Sequence, residues 1–217
     1  MSLYEDYGYE YESDPVYCYP GTPVLKNKLG IMDAGELKQA EREITALRTA
    51  QAAAQDIAGG FDSEHLKRIH AFLFQDIYDW AGHFRIVNIS KGSAFCRFEY
   101  IARELDRLFA ELHEEQFLQT IREKKPMAER LAYYLAEINA IHPFREGNGR
   151  TQRLFIEKLA RVNGWQLDFM YIRAEEMVQA SVESFAGEYA DMERLIFRCL
   201  SDGRQNNTRR QGSAAPR

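Results

Sequence analysis

IHPFREGNGRTQRLF, residues 141–155, gathers a histidine, an acid, two glycines around an asparagine and several arginines into one short stretch. An apolar stripe at helical spacing runs into it (Leu131, Leu135, Ile138, Ile141), and another leaves it (Phe155, Leu159, Val162). Pro143 lacks a backbone donor and biases its predecessor away from the helix, so the first helix is expected to end near His142. Arg150 is expected to open the second, with Gly147 and Gly149 supplying the positive φ that so short a turn requires. The fold implied here is helix, tight turn, helix, with the polar residues held in the turn.

The chemistry of that turn follows from its residue types. Successive N–H groups in a glycine-rich turn entering a helix converge on one spot and carry partial positive charge, which suits a phosphate. Arg150 and Arg153 lie on neighbouring positions of the new helix and extend the site to further phosphates. Glu146 suits Mg2+ held jointly with phosphate oxygens. His142 suits a base that takes a proton from an incoming hydroxyl. Asn148 can donate its amide to a phosphate oxygen, and Phe144 can pin the loop by burying its ring, worth about 1.5–3 kcal/mol. Each feature alone has an ordinary structural reading: a capping histidine, a solvated arginine pair, a glycine turn. Their conjunction favours phosphate binding over a structural turn. No Walker pattern or G-x-G-x-x-G is present.

Outward from the motif, helical periodicity dominates. Asp33 and Glu36 resemble a capping box ahead of Leu37, Ala40, Ile44 and Leu47, a run ended by Gly59 and Gly60. Leu66, Ile69, Leu73, Ile77 and Trp80 form the next stripe, stopped by Gly82, with His65 and His70 read as structural or solvated. RIVNISKGSAFCRF, residues 85–98, reads as a short hairpin around a Lys-Gly-Ser turn; it either supports the helices or presents an edge. Ile101, Leu105, Leu108 and Leu112 resume the helical pattern, Pro126 suits a first helical position, and two more helices are expected near 175–185 and 189–200.

Composition sets the bounds. A chain of 217 residues, 45% hydrophobic and 28% charged, suits one domain, and its net charge of −5 gives no general pull toward nucleic acid or membrane. Three scattered cysteines suggest neither a disulfide framework nor a zinc site. No secretory start or apolar run of spanning length is present, so the expected location is cytoplasmic. Residues 1–24 hold five acids and six tyrosines without Lys or Arg, an arm either disordered or docked by its tyrosines. Residues 25–203 form the expected domain, and residues 204–217, with four arginines and no acid, a flexible basic tail.

His142, Phe144, Glu146, Gly147, Asn148, Gly149, Arg150 and Arg153 match, without gap or substitution, the Fic signature H-x-F-x-[DE]-G-N-G-R-x-x-R, and the chain resembles that family from about residue 20 to residue 200. The likeness is nearest to bacterial Fic toxins inhibited by a separate antitoxin. The resemblance implies a mainly α Fic fold, a helical bundle with a β-hairpin flap beside the active-site loop, and transfer of AMP from ATP to a Tyr, Ser or Thr hydroxyl of a target protein. It makes His142 the general base, Glu146 the Mg2+ ligand, and Gly147, Asn148 and Gly149 the anion hole, with Arg150 and Arg153 on the outer phosphates. The flap, Val87, Asn88, Ile89, Ser90 and Lys91, would align the target segment by strand-like pairing. Similar toxins modify ATPase subunits of type II topoisomerases. The inhibitory pattern [ST]-x-x-x-E-[GN] is absent, with Ser184 and Glu188 nearest but followed by Tyr189. The implied inhibitor is therefore a separate polypeptide whose glutamate meets Arg153. Gly149, where a phosphate-transferring relative carries lysine, favours AMP. The alternatives are transfer of another phosphate-containing group, or a non-catalytic nucleotide- or protein-binding module.

Overall fold

A computed structural model of the chain describes residues 14–91 and 93–203. Residues 1–13 of the acidic arm and the tail 204–217 lie outside the described residues. Seven helices occur among those described: α1 (Ala34–Ala54), α2 (Ser63–Phe74), α3 (Ile101–Glu114), α4 (Lys124–Ile141), α5 (Asn148–Val162), α6 (Ala174–Phe185) and α7 (Ala190–Cys199). The hairpin β1 (Ser90–Lys91) and β2 (Ser93–Ala94) pairs Ser90 with Ala94 and Lys91 with Ser93.

The helices form where the stripes say, with adjusted ends. Asp33 caps α1, accepting from the Glu36 N–H at 2.9 Å, and Asp62 caps α2 in the same way through His65. α1 already stops at Ala54, ahead of Gly59, and α2 stops at Phe74, so Ile77 and Trp80 belong to the following turn rather than to the helix. Ile77 is nonetheless buried, because that turn folds back under α2. Pro126 is the third residue of α4, still in the first turn, where its missing N–H leaves no intrahelical bond unmade.

α4 is the central rod. Its buried Met127, Leu131, Leu135 and Ile138 meet α3, α5, α6 and α7 on several sides, so little of it is left to water. α2 packs on α5, and α1 on α2. A second two-stranded sheet, β3 (Trp165–Leu167) with β4 (Leu200–Asp202), ties the end of α5 to the end of α7 and has no local hairpin signal. Tyr17, Cys18 and Val24 are buried in the same core cluster as the helices. His65 and His70 are both buried, which selects the structural reading over the solvated one.

Candidate active site

The motif loop joins α4 to α5 and is defined by two left-handed residues. His142 caps α4 at φ 50° and ψ 62°, and Gly147 precedes α5 at φ 79°. A β-carbon at position 147 would lie 2.2 Å from Phe74 Cζ, so glycine is required there by both conformation and space. Gly149 does not share this role: α5 begins at Asn148, and Gly149 lies inside the helix's first turn rather than in a positive-φ turn. Its lack of a side chain instead lets the Arg153 guanidinium approach, since a β-carbon would sit 3.2 Å from Arg153 Nη1.

Asn148 also works differently from the amide donor expected. Its Oδ1 accepts from the Phe144 N–H at 2.8 Å and its Nδ2 donates to the Phe144 carbonyl at 2.7 Å, so the buried amide closes the loop on itself. What Asn148 offers a phosphate is its backbone N–H at the helix start. Arg150 is held by α1: Nη1 donates to Thr45 Oγ1 at 3.0 Å, Nη2 pairs with Glu41, and Glu146 Oε1 stands 3.5 Å away. Tyr78 donates its hydroxyl to the other oxygen of Glu41, and burial and Glu41 together keep that phenol protonated well above the ordinary range. Arg150 thus ties Glu41 of α1 to Glu146 and, with Arg153, borders the cavity along α5.

The imidazole of His142 is oriented from three sides. Nδ1 lies 3.2 Å from the Asn139 carbonyl, which can only accept, so Nδ1 carries the hydrogen and, in the neutral ring, Nε2 carries the lone pair. Phe95 from the flap stacks on the ring at 3.9 Å between centroids. The His142 carbonyl accepts from Arg85 Nε at 2.9 Å. Phe144 is buried and stacks face to face on His70 at 3.9 Å.

Glu146 Oε1 accepts from the Gly147 N–H at 2.7 Å. A hard carboxylate oxygen beside a helix N-terminus suits a divalent ion that arrives with phosphates. Among the described residues, no group of three or more His, Cys, Asp or Glu side chains is arranged to hold an ion by itself. A cavity of about 580 Å3 runs along α5, bordered by Thr49, Arg153, Leu154, Arg161, Trp165 and Met170.

Of the flap residues, Ile89 is buried, the Asn88 Oδ1 accepts from the Phe98 N–H at 3.1 Å, and the Val87 carbonyl accepts from Arg85 Nη1 at 2.7 Å, while Ser90 and Lys91 form β1.

Sequence reasoning missed four residues that shape the site. Arg145, fully buried, pairs through Nε with Asp14 at 2.7 Å. His70 contacts the Glu146 carbonyl through Nε2 at 3.0 Å, while its Nδ1 accepts from the Gly82 N–H at 2.8 Å. Glu41 and Arg85 are the others. Only the charge of Arg145 inside an otherwise matched motif hinted at any of them.

Residues 60–160 match the model of the Fic/DOC family, a segment that includes α2, the flap, α4 and most of α5. A probable protein adenylyltransferase of Sinorhizobium fredii is 42% identical over 193 residues, spanning 88% of this chain and 98% of the relative. The probable protein adenylyltransferase Fic of Escherichia coli is 40% identical, spanning 87% and 93% of the two chains. Among solved structures, the N-terminal Fic domain of a putative cell filamentation protein from Bartonella quintana, with bound ADP, superposes with a TM-score of 0.83 at 30% identity, covering 87% of this chain and 96% of that one. With an unbroken motif on a matching helical frame, and relatives aligned over nearly their whole length, this chain belongs to the Fic/DOC family.

Proposed function

We propose that the protein is an adenylyltransferase that moves AMP from ATP to a Tyr, Ser or Thr hydroxyl of a target protein. The observation that carries this reading is the orientation of His142, whose Nδ1 faces the Asn139 carbonyl at 3.2 Å and so leaves the lone pair on Nε2 as the acceptor for a proton. The target hydroxyl oxygen forms a bond to the α-phosphorus of ATP, its proton passes to Nε2, and the bond to the β-phosphate bridge breaks to release pyrophosphate. The N-terminus of α5, at Asn148 and Gly149, supplies backbone donors to the charge that develops, and Gly147 makes the turn into it. Arg153 serves the outer phosphates, and Glu146 suits Mg2+, which would neutralise phosphate charge when bound. The names of the relatives, protein adenylyltransferases at about 40% identity, support this chemistry.

Regulation follows the same site. Glutamate from a separate small antitoxin would pair with Arg153, which borders the cavity along α5. VbhT of Bartonella schoenbuchensis, a protein adenylyltransferase, is 40% identical, but this chain spans only 40% of it. The proposed target class includes ATPase subunits of type II topoisomerases, and the proposed place of action is the cytoplasm, of the producing cell or of a recipient. No helix among the described residues is long and apolar enough to cross a membrane.

The test is incubation with α-phosphate-labelled ATP, Mg2+ and bacterial lysate. Protein labelling by the wild type that vanishes in His142→Ala is the expected result. Nucleotide binding without any labelling would point instead to a non-catalytic module.

A further inference from the structure

Arg85 lies on the approach to the flap, outside the Fic motif, and is 1% exposed. Its guanidinium donates to carbonyls on both sides of the site. Nη1 reaches Val87 at 2.7 Å and Nη2 bonds Cys96, one on each limb of the flap. Nε reaches the His142 carbonyl at 2.9 Å and Nη2 that of Ile141 at 3.3 Å, both at the end of α4. The main chain closes the same seam: the Arg85 N–H donates to the Pro143 carbonyl at 2.9 Å and the Cys96 N–H to the Ala140 carbonyl at 3.3 Å. One planar, rigid group therefore spans the flap and the left-handed turn that carries the imidazole.

We propose that Arg85 is a positioning residue for the transfer step, setting the register between the flap strand that receives the target segment and the base that takes its proton. This rests on the transferase reading above. The target's backbone would be aligned along residues 87–91, and its hydroxyl must come within hydrogen-bond reach of Nε2 to attack phosphorus in line. An ångström of slack between Val87 and His142 is slack between nucleophile and base, which costs rate more than it costs binding. The nucleotide contacts of that reading fall to α5, after the loop, so they are separable from this effect. Lysine keeps the charge but has a single nitrogen, which cannot hold four carbonyls spread over two elements.

The experiment compares wild type, His142→Ala and Arg85→Lys with α-phosphate-labelled ATP, Mg2+ and dialysed lysate as acceptor, varying ATP and lysate protein separately, with ADP affinity measured by calorimetry and folding by thermal melting. Expected for Arg85→Lys is a fall in transfer rate at saturating ATP of about tenfold to a hundredfold, with ADP affinity and apparent KM for ATP within about twofold and the fold intact. A second variant inserts one glycine between Val87 and Asn88, leaving Arg85 in place while shifting the flap; it should give the same split. Undiminished transfer in both variants overturns the proposal, as does a parallel loss of ADP affinity and transfer, which marks a merely structural arginine. Absence of transfer by the wild type would instead defeat the transferase reading, and the His142→Ala control keeps the two failures apart.

Discussion

His70 shows how much of the site is built from residues that touch no substrate. Sandwiched between Phe144 and Phe74 and hydrogen-bonded to the Glu146 carbonyl and the Gly82 N–H, it fixes the acid-bearing loop to α2. The Gly82 N–H can only donate, so Nδ1 must be its acceptor and the ring is neutral with hydrogen on Nε2. Burial drives its pKa down from the ordinary 6.5 to about 3, against the opposing effect of the Glu146 bond. Because the folded form refuses the proton that the unfolded chain accepts, this group's contribution is complete above about pH 6.5 and drains away as pH falls toward 3. The slope is about 1.4 kcal/mol per pH unit for one proton. Denaturant melts of His70→Phe should show a loss of about 1–3 kcal/mol at pH 8 from the unpaired backbone groups, and a gap to wild type that narrows or reverses by pH 4. A gap constant with pH would show that His70 does not carry this linkage.

At the scale of elements, the segment Asp14–Leu25 acts as a strap across the catalytic loop. Asp14 pairs with Arg145, Tyr17 stacks edge-on against Trp80, and the Tyr17 hydroxyl accepts from the Ile86 N–H at 3.2 Å, so the strap reaches loop and flap together. Asp14→Ala removes the buried carboxylate that pairs with the Arg145 guanidinium, and a destabilisation of up to about 3–5 kcal/mol is expected. For a chain of this size that lowers Tm by on the order of 10 °C, measurable by thermal circular dichroism; an unchanged Tm would show the pair to be dispensable. The legibility of elements follows contact range. Caps at Asp33 and the stripes of α3 to α5 are local patterns, so the sequence displays them. The β3–β4 pairing joins residues such as Trp165 and Asp202, and the Arg85 clasp ends on carbonyls that every residue owns; neither leaves a compositional trace. The partners of Arg150 are hidden for a related reason: Glu41 and Thr45 come from α1, and nothing in the motif announces them.

Across the whole molecule, strap, helices and closing sheet share one core, which predicts a single cooperative transition. The chain's two tryptophans stand in different regions, Trp80 beside the strap and Trp165 on β3, so they serve as independent reporters. Fluorescence of Trp80→Phe and Trp165→Phe, each followed beside circular dichroism, should give within each variant the same denaturant midpoint by both probes. Midpoints that separate would show the strap region to melt on its own. The Asp14–Arg145 pair also bears on synthesis at the ribosome, since its two members are 131 residues apart in the chain. The strap must wait for a partner translated 131 residues later, and a nascent polypeptide that has not yet reached it has no completed loop with which to act on its neighbours. Cells that make such an enzyme are thereby spared its chemistry until the loop that carries Arg145 has been translated.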